Sequence, residues 1–333
     1  MAQTNTEAEA KKIAKLSLWQ RMMAIREMGL LLIIIALMIV LSIATPHFLT
    51  ASNITTTLIG LATDGIIAVG MTIALVSGGF DLSVGSVLAL SGVTAGALYI
   101  GGMNIWLATL LGVIISIGCG FVNGYFIGKI GINPMITTLS MMNIARGAAY
   151  VLTQGSPQSL AQTPKAFTNL GGGTVIGIPV IVIIFAVIAL IGDYMMRHSA
   201  FLRQVFYVGS NSKAASLSGI NVSKVKMLVY IIVAILAGIA GILTLSRFNV
   251  ATPSAGLGTE MRVMSAAIIG GASLSGGEGT VFGAVLGVIL LALVNNGLVL
   301  LNVSVYWQDL ISGIILLAAV TLDYVNHTRR RAA

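Results

Sequence analysis

Apolar stretches about 20 residues long, separated by short polar breaks, run through most of this chain of 333 residues. Only 8% of its residues are charged and 57% are hydrophobic, whereas soluble domains carry roughly a quarter charged residues. So few charges could not cover a surface that faces water, and about 20 apolar residues are the length of helix that crosses the hydrocarbon core of a bilayer. We therefore expect an all-α polytopic membrane protein.

Ten of these segments are predicted to be transmembrane helices, with broken or half-length helices among them. Residues 261–275 are short and polar for a full span. We expect a half-helix or a re-entrant piece there, which requires protein or water around its backbone. The predicted segments are 29–45, 54–76, 84–101, 105–128, 134–153, 175–195, 227–246, 261–275, 280–301 and 306–323.

The basic residues predict the orientation of the chain. Residues 1–28, the loop 196–226 and the tail 326–333 hold 13 of the 18 Lys and Arg residues. Because cytoplasmic loops carry an excess of Lys and Arg, both termini and this loop are predicted to be cytoplasmic. Residues 29–325 then form a single transmembrane domain. The net charge of +8 lies at the ends of spans, so it does not indicate nucleic-acid binding.

Two glycine-rich breaks with similar sequences interrupt the apolar pattern. Residues 78–86 and 270–279 both begin Gly-Gly-x-x-Leu-Ser. Paired breaks at corresponding positions in a transporter indicate internal repeats with a site between them, although six matching positions are weak support for a duplication. The glycines predicted to break helices are Gly78, Gly79, Gly270, Gly271, Gly276 and Gly277.

Polar groups in and near apolar segments predict a translocation pathway. Asp81 either caps the next helix or lines this pathway, because a charge so close to lipid must face protein or water. Arg146 and Asp64 form one candidate ion pair, or they snorkel, as we expect of Asp309. Asparagines within spans more commonly bond between helices. The candidate pathway residues are Phe80, Asp81, Ser83, Asn143, Arg146, Asn295 and Asn296.

Small residues recur every fourth position along two of the predicted spans. At this spacing they let helix backbones approach closely, so tight packing is the expected role and a sliding surface for gating is the alternative. The residues are Gly112, Ser116, Gly120, Gly124 and Gly128 in one span, and Gly279, Gly283 and Gly287 in another.

The basic loop 196–226 contains a candidate docking helix. Ser212 is predicted to cap a short helix over residues 213–217, which Gly219 ends, and Ser223 is predicted to cap the following span. A short helix with small exposed residues suits a groove on another protein. A plain connector is the alternative, but about 30 residues are more than a connection requires.

Motifs for catalysis or cofactor binding do not occur in the sequence. It contains no G-x-x-x-x-G-K-[ST] loop to hold phosphates and no H-E-x-x-H motif. The one cysteine, Cys119, lies in an apolar segment, which excludes a disulfide framework or a cysteine metal site. We therefore expect no catalytic residue, no metal site and no cofactor on this chain.

Several motifs resemble those of permease subunits of ribose-type sugar ABC importers, in the same order along residues 30 to 325. Departures from that family are Phe80, where isoleucine is typical of ribose permeases, and Asp64, at an often neutral position, so the sugar stays open. The matching motifs are Gly70-Met71-Thr72, residues 79–86, Arg146-Gly147, residues 154–157, 209–222 and 270–279, and Asn295-Asn296-Gly297-Leu298.

This resemblance implies import of a monosaccharide or a similar small hydroxylated solute across the bacterial cytoplasmic membrane. It implies a homodimer in membrane lipid that works by alternating access, a separate ATPase that binds ATP and Mg, and an extracytoplasmic sugar-binding protein. A secondary transporter without an ATPase is the alternative, and an intramembrane enzyme or scaffold a further one. The implied ATPase-coupling residues are Lys213, Ala214, Ala215, Ser216 and Gly219.

The predicted orientation can be tested with single cysteines at positions 211 and 160. We expect position 211 to react only with reagents on the cytoplasmic side and position 160 only with reagents outside, because of the basic-residue asymmetry. The measurement is labelling by a membrane-impermeant thiol reagent in intact cells. Labelling of position 211 from outside, with position 160 spared, would contradict the orientation.

Overall fold

Helices make up most of the computed structural model, which describes residues 26–304, 306–308, 310–311, 313–318 and 320–321. Most of the N-terminal segment 1–28, the tail 326–333 and Asp309 lie outside the described residues. In chain order the helices are α1 Arg26–Ala44, α2 Ala51–Val76, α3 Val84–Ile100, α4 Ile105–Tyr125, α5 Pro134–Thr153, α6 Lys165–Gly172, α7 Val180–His198, α8 Ala200–Ser210, α9 Ser212–Leu217, α10 Val222–Phe248, α11 Thr259–Ile269, α12 Val281–Leu300 and α13 Tyr306–Ala318.

Each of the ten predicted segments overlaps one of these helices. Six helices among the described residues are long and apolar enough to cross a membrane, namely α1, α2, α4 with the π-helical turn Phe126–Ile130, α7, α10 and α12. The helices α3 and α13 are apolar but shorter. The half-length helix expected within 261–275 is α11, whose 11 residues extend about 16 Å against a hydrocarbon core of about 30 Å.

The structure differs from the sequence prediction at several helix boundaries and by one additional helix. The predicted span 175–195 begins only at Val180, because β2 Thr174–Val175 and β3 Ile178–Pro179 pair as an antiparallel hairpin before it. The loop 196–226 contains an additional helix, α8, whose Leu202, Val205 and Val208 are buried. Burial of this apolar face stabilises α8, although the surrounding loop is basic and polar.

Short strands also join distant parts of the chain. β1 Gln158–Ser159, which follows α5, pairs with β4 Val250–Ala251, which follows α10. This antiparallel pair holds the loop after α5 against the segment that leads into α11.

Helix α10 lies at the centre of the bundle and contacts α4, α3 and α2 most extensively. A Cβ atom on Gly120 would lie 2.6 Å from the Ala234 Cβ atom, and one on Gly124 would lie 2.7 Å from the Met227 Cα atom. Real Cβ contacts are not this short, so only glycine permits the observed approach of α4 to α10. The prediction that this row of small residues packs helices together is confirmed.

The outer helices expose apolar side chains. On α1, Ile33, Ile39, Val40 and Ile43 are exposed, and α4 and α7 present similar faces. A continuous apolar surface of this kind is unfavourable in water and favourable in lipid hydrocarbon. The surface therefore agrees with the membrane location that the composition predicts.

We expect Gly120→Ala to lower the melting temperature of the detergent-purified protein, since the new methyl group must displace α10. Gly118→Ala is the matched control, because a Cβ at Gly118 meets nothing within 4 Å. The control is expected to keep or slightly raise the melting temperature, since alanine favours a helix over glycine by about 1 kcal/mol. Equal melting temperatures for the two variants would contradict the packing role.

Candidate translocation cavity

A cavity of about 400 Å³ lies between α2, α11 and α12. Its walls are mixed, with leucine, valine and alanine side chains beside a group of polar ones. The polar residues that line it are Thr56, Thr57, Asp64, Arg262, Asn295 and Asn296. Helix α2 and the consecutive helices α11 and α12, about 200 residues later in the chain, therefore place polar groups around one space, as expected of a site for a small polar molecule.

An ion pair between two helices forms one wall of this cavity. Arg262 on α11 donates from Nε to Asp64 Oδ2 on α2 at 2.9 Å, and from Nη2 to Thr259 Oγ1 at 2.8 Å. The two charged side chains are 37% and 24% exposed, so both reach the cavity. The sequence-based pairing of Arg146 with Asp64 is therefore wrong, because Arg262 occupies that role.

The two predicted asparagines on α12 both line the cavity but differ in their bonding. Asn296 exchanges two hydrogen bonds with Asn53 on α2, donating at 2.6 Å and accepting at 3.1 Å. This reciprocal pair ties α12 to α2, as asparagines between helices commonly do. Asn295 has no side-chain hydrogen bond with the part of the chain that the structure describes.

Phe80, Asp81 and Ser83 lie at the break before α3, outside the lining of this cavity. Asp81 is buried, and its Oδ1 accepts from the Ser83 amide at 2.8 Å and from the Ser83 hydroxyl at 2.5 Å. Asn123 on α4 donates to Asp81 Oδ2 at 3.3 Å, and Tyr230 on α10 donates to the Phe80 carbonyl at 3.3 Å. These bonds fix the start of α3 against α4 and α10.

Arg146 and Asn143, both on α5, also lie apart from the cavity lining. Arg146 donates from Nη1 to the carbonyl of Pro253 at 2.5 Å and to that of Ala255 at 2.7 Å. It therefore holds the loop that leads into α11. Asn143 is exposed on the surface of α5.

The two glycine-rich breaks contact each other. The amide of Gly277 donates to the carbonyl of Val76 at 2.9 Å, and a Cβ on Gly276 would lie 2.8 Å from the Gly78 Cα atom. Gly209, at the end of α8, packs against the same point, where its own Cβ would lie 2.8 Å from the Gly277 amide nitrogen. We call this contact of Gly78, Gly209, Gly276 and Gly277 the glycine junction.

The other predicted break glycines make separate contacts. A Cβ on Gly79 would lie 2.6 Å from the Tyr230 hydroxyl, and one on Gly270 would meet the carbonyl of Gly283 on α12. At the end of α11, the amide of Gly271 donates a hydrogen bond to the carbonyl of Ile268 at 2.9 Å. These contacts bring the ends of α2 and α11 close to α10 and α12.

Beyond the junction, the predicted short helix is α9, Ser212–Leu217. Its cap is Asn211 and the cap of α10 is Asn221, so the assignments to Ser212 and Ser223 are wrong. Each asparagine accepts an amide three residues ahead, which a serine one or two positions later cannot reach in the same register.

Of the residues predicted to couple the chain to an ATPase, some face the solvent and one faces the protein interior. Lys213, Ala214 and Ser216 are exposed, whereas Ala215 is buried against its own chain. A bulky charge at Ala215 would therefore disturb this chain before it affected a partner. Gly219 has a φ of 85°, which confirms the left-handed conformation predicted after the helix end.

Sequence reasoning missed three residues that the structure places at these sites. Arg262 is a charged residue within the predicted segment 261–275, and its position among apolar residues is a signal that it needs a partner. Leu217 is 91% exposed at the end of α9, and the sequence analysis assigned it no role beyond that helix. Thr57 Oγ1 is buried without a hydrogen-bond partner among the described residues, a feature that no sequence pattern indicates.

A bundle of apolar helices that encloses a cavity with polar groups in its lining is the architecture of a membrane transport subunit. The family model described as "Branched-chain amino acid transport system / permease component" matches residues 51–320. The ribose import permease protein RbsC of Escherichia coli (strain K12) is 37% identical over 295 residues, which cover 88% of this chain and 92% of that protein.

Two further relatives cover similar shares of the chain. RbsC of Bacillus subtilis (strain 168) is 38% identical over 298 residues, 90% of this chain and 92% of that protein. The L-arabinose ABC transporter permease protein AraH of Azospirillum brasilense is 35% identical over 319 residues, 96% of this chain and 93% of that protein. No solved structure matches the chain.

The chain belongs to the family of ABC-importer permease components. It is a multi-pass protein of the inner membrane and a transport subunit, not an enzyme. In this family ATP and Mg act on a separate ATPase.

We expect Asp64→Asn to lower the free energy of unfolding by roughly 1–2 kcal/mol, because it removes a charge-assisted bond between two helices. Asp193→Asn is the matched control. Its partner Arg197 lies one turn away on α7 and is 61% exposed, so we expect a loss of about 0.5 kcal/mol or less. Denaturant unfolding in detergent measures both, and an equal loss would contradict a structural role for the Asp64–Arg262 pair.

Proposed function

We propose that this chain is the membrane-spanning subunit of an ATP-driven importer for a monosaccharide or a similar small hydroxylated solute. The relatives named for ribose and arabinose support this substrate class. Two copies of the chain, embedded in lipid, form the passage. An extracytoplasmic binding protein delivers the sugar, and a separate ATPase supplies the energy for alternating access.

The observation that carries this proposal is a continuous set of contacts between α9 and the cavity. Helix α9 directly follows Gly209 and Ser210, and Gly209 packs in the glycine junction against the end of α2 and the break before α12. Both α2 and α12 line the cavity. A displacement of α9 by a partner would therefore reach the cavity through only two steps of direct contact.

The surface around α9 suits a protein partner. A cleft of about 350 Å³ beside it is lined by Gly209, Ser210, Lys213, Lys226 and Ser275. Leu217 projects from the end of the helix with 91% of its surface exposed. An exposed apolar side chain on a short helix can enter a groove on another protein.

The residues predicted for the pathway take different roles in this proposal. Asn295 and Asn296 line the passage, because both face the cavity. Asp81 and Ser83 hold the start of α3 in place, and Arg146 holds the loop that precedes α11. The two glycine-rich breaks are the points at which the helices change their relative positions.

The proposal is tested by uptake into proteoliposomes that contain the chain with the ATPase and the binding protein encoded by neighbouring genes. We expect accumulation of ribose or arabinose that requires ATP and both partners. Uptake by this chain alone, driven by an ion gradient, would instead identify a secondary transporter. Substrate turnover by the isolated chain would identify an enzyme.

In the same assembly, we expect Leu217→Asp to abolish co-purification of the ATPase and to lower uptake at least tenfold, since an unpaired charge cannot enter an apolar groove. The melting temperature of the chain should not change, because Leu217 contacts little of its own protein. Ile176→Asp is the matched control, since Ile176 is 97% exposed in the turn between β2 and β3.

The control variant is expected to keep the ATPase bound. If Leu217→Asp also retained ATPase association and normal uptake, α9 would be only a connector. Loss of the ATPase from both variants would show a general effect of exposed aspartate and would equally contradict the role of Leu217.

A further inference from the structure

We infer that a second cavity, where the ends of α1, α7 and α12 meet, binds a phospholipid headgroup with a primary ammonium, that of phosphatidylethanolamine. We call it the headgroup cavity. It has a volume of about 380 Å³ and shares no lining residue with the candidate translocation cavity. The lining residues that matter here are Glu27, Asp193, Arg197, Thr280 and Phe282.

The headgroup cavity lies at the level where three membrane-crossing helices begin or end. Glu27 is the first residue of the apolar span Glu27–Ala44, Arg197 lies in the last turn of α7, and Thr280 is the N-cap of α12. Phospholipid headgroups lie at the ends of such spans, outside a hydrocarbon core about 30 Å thick. The cavity is therefore at the depth of the headgroups.

Exposed apolar side chains continue from this cavity toward the hydrocarbon. Phe282, in the first turn of α12, lines the cavity and is half exposed. Leu190 lies about one turn before Asp193 on α7 and is also exposed. An acyl chain attached to a bound headgroup can cover both side chains. This surface favours a lipid over a water-soluble ion as the occupant.

The charged groups of the cavity complement a zwitterionic headgroup. Two carboxylates, of Glu27 and Asp193, lie with one guanidinium, of Arg197, in the same lining. A primary ammonium can donate to the carboxylates while the phosphate accepts from the guanidinium. Phosphatidylglycerol would place only a negative charge beside two carboxylates, and the trimethylammonium of phosphatidylcholine has no N–H to donate. Charge and hydrogen bonding therefore favour phosphatidylethanolamine.

The side chains of the cavity keep hydrogen-bonding groups free for such a ligand. Glu27 Oε1 accepts from the Thr280 hydroxyl at 3.1 Å, whereas its Oε2 makes no hydrogen bond with the described residues. Arg197 donates from Nε and Nη2 to Asp193 at 2.8 and 3.3 Å, whereas its Nη1 bonds to none of these residues. Glu27 Oε2 can therefore receive the ammonium, and Arg197 Nη1 can donate to the phosphate.

Native mass spectrometry of the full chain, delipidated in detergent, tests this inference. The probes are phosphatidylethanolamine, phosphatidylcholine and phosphatidylglycerol with identical acyl chains at equal concentrations. We expect the chain to retain phosphatidylethanolamine at least threefold more than either of the others. Glu27→Gln should abolish this preference, because glutamine keeps an oxygen for the Thr280 hydroxyl but lacks the charge. Glu260→Gln, in the first turn of α11 and outside the cavity lining, is the matched control and should keep the preference.

A second variant separates the phosphate from the ammonium. Arg197→Gln should lower retention of phosphatidylethanolamine and phosphatidylcholine alike, at least threefold, because both lipids carry the phosphate that the guanidinium binds. Arg203→Gln is the matched control, since Arg203 is exposed on α8 outside the cavity lining. It should leave the retention of both lipids unchanged.

The contrary outcomes are equally specific. Equal retention of the three lipids by the wild-type chain overturns the inference. A preference for phosphatidylglycerol overturns it too, because basic residues elsewhere would then select the lipid. A preference that survives Glu27→Gln, or that Glu260→Gln also abolishes, contradicts the placement in this cavity. Because lipid retention is measured without an ATPase or a sugar, none of these results depends on the proposed function.

Discussion

The close approach of α10 to its neighbours is the constraint on which the rest of this bundle depends. Gly120 lets α4 reach Ala234, and Gly241 lets α10 meet the carbonyl of Leu88 on α3. In lipid there is no hydrophobic gain from bringing two apolar helices together, so contact between closely fitted backbones drives association. These small residues therefore set the position of α3, and with it the position of the break that precedes it.

The helix breaks are tolerated because their backbone groups find partners inside the protein. Gly276 has a φ of 83°, a conformation that a larger residue resists, and its neighbour Gly277 bonds to the carbonyl at the end of α2. Such a junction satisfies backbone groups without using side-chain volume. It is also where α8 reaches the ends of the cavity helices, so the same glycines that permit the break connect the cavity to α9.

Much of the fold could be predicted from the sequence, because apolar runs and small-residue spacing are local signals. These signals predict a helix in each segment, the short α11, and the packing role of Gly120 and its neighbours. They do not predict which residues pair across long distances in the chain. Asp64 lies 198 residues from Arg262, and a pair of Asp64 with Arg146 is equally consistent with the sequence. The sequence does not distinguish Asn211 from Ser212 as the helix cap, because asparagine and serine are both preferred at the N-cap position.

The paired charges of the cavity suit the proposed passage for a neutral solute. A lone charge would hold a counter-ion or fix the solute too firmly, whereas conduction needs binding weak enough to release. Asp64 and Arg262 satisfy each other when the cavity is empty, so the empty state carries little penalty.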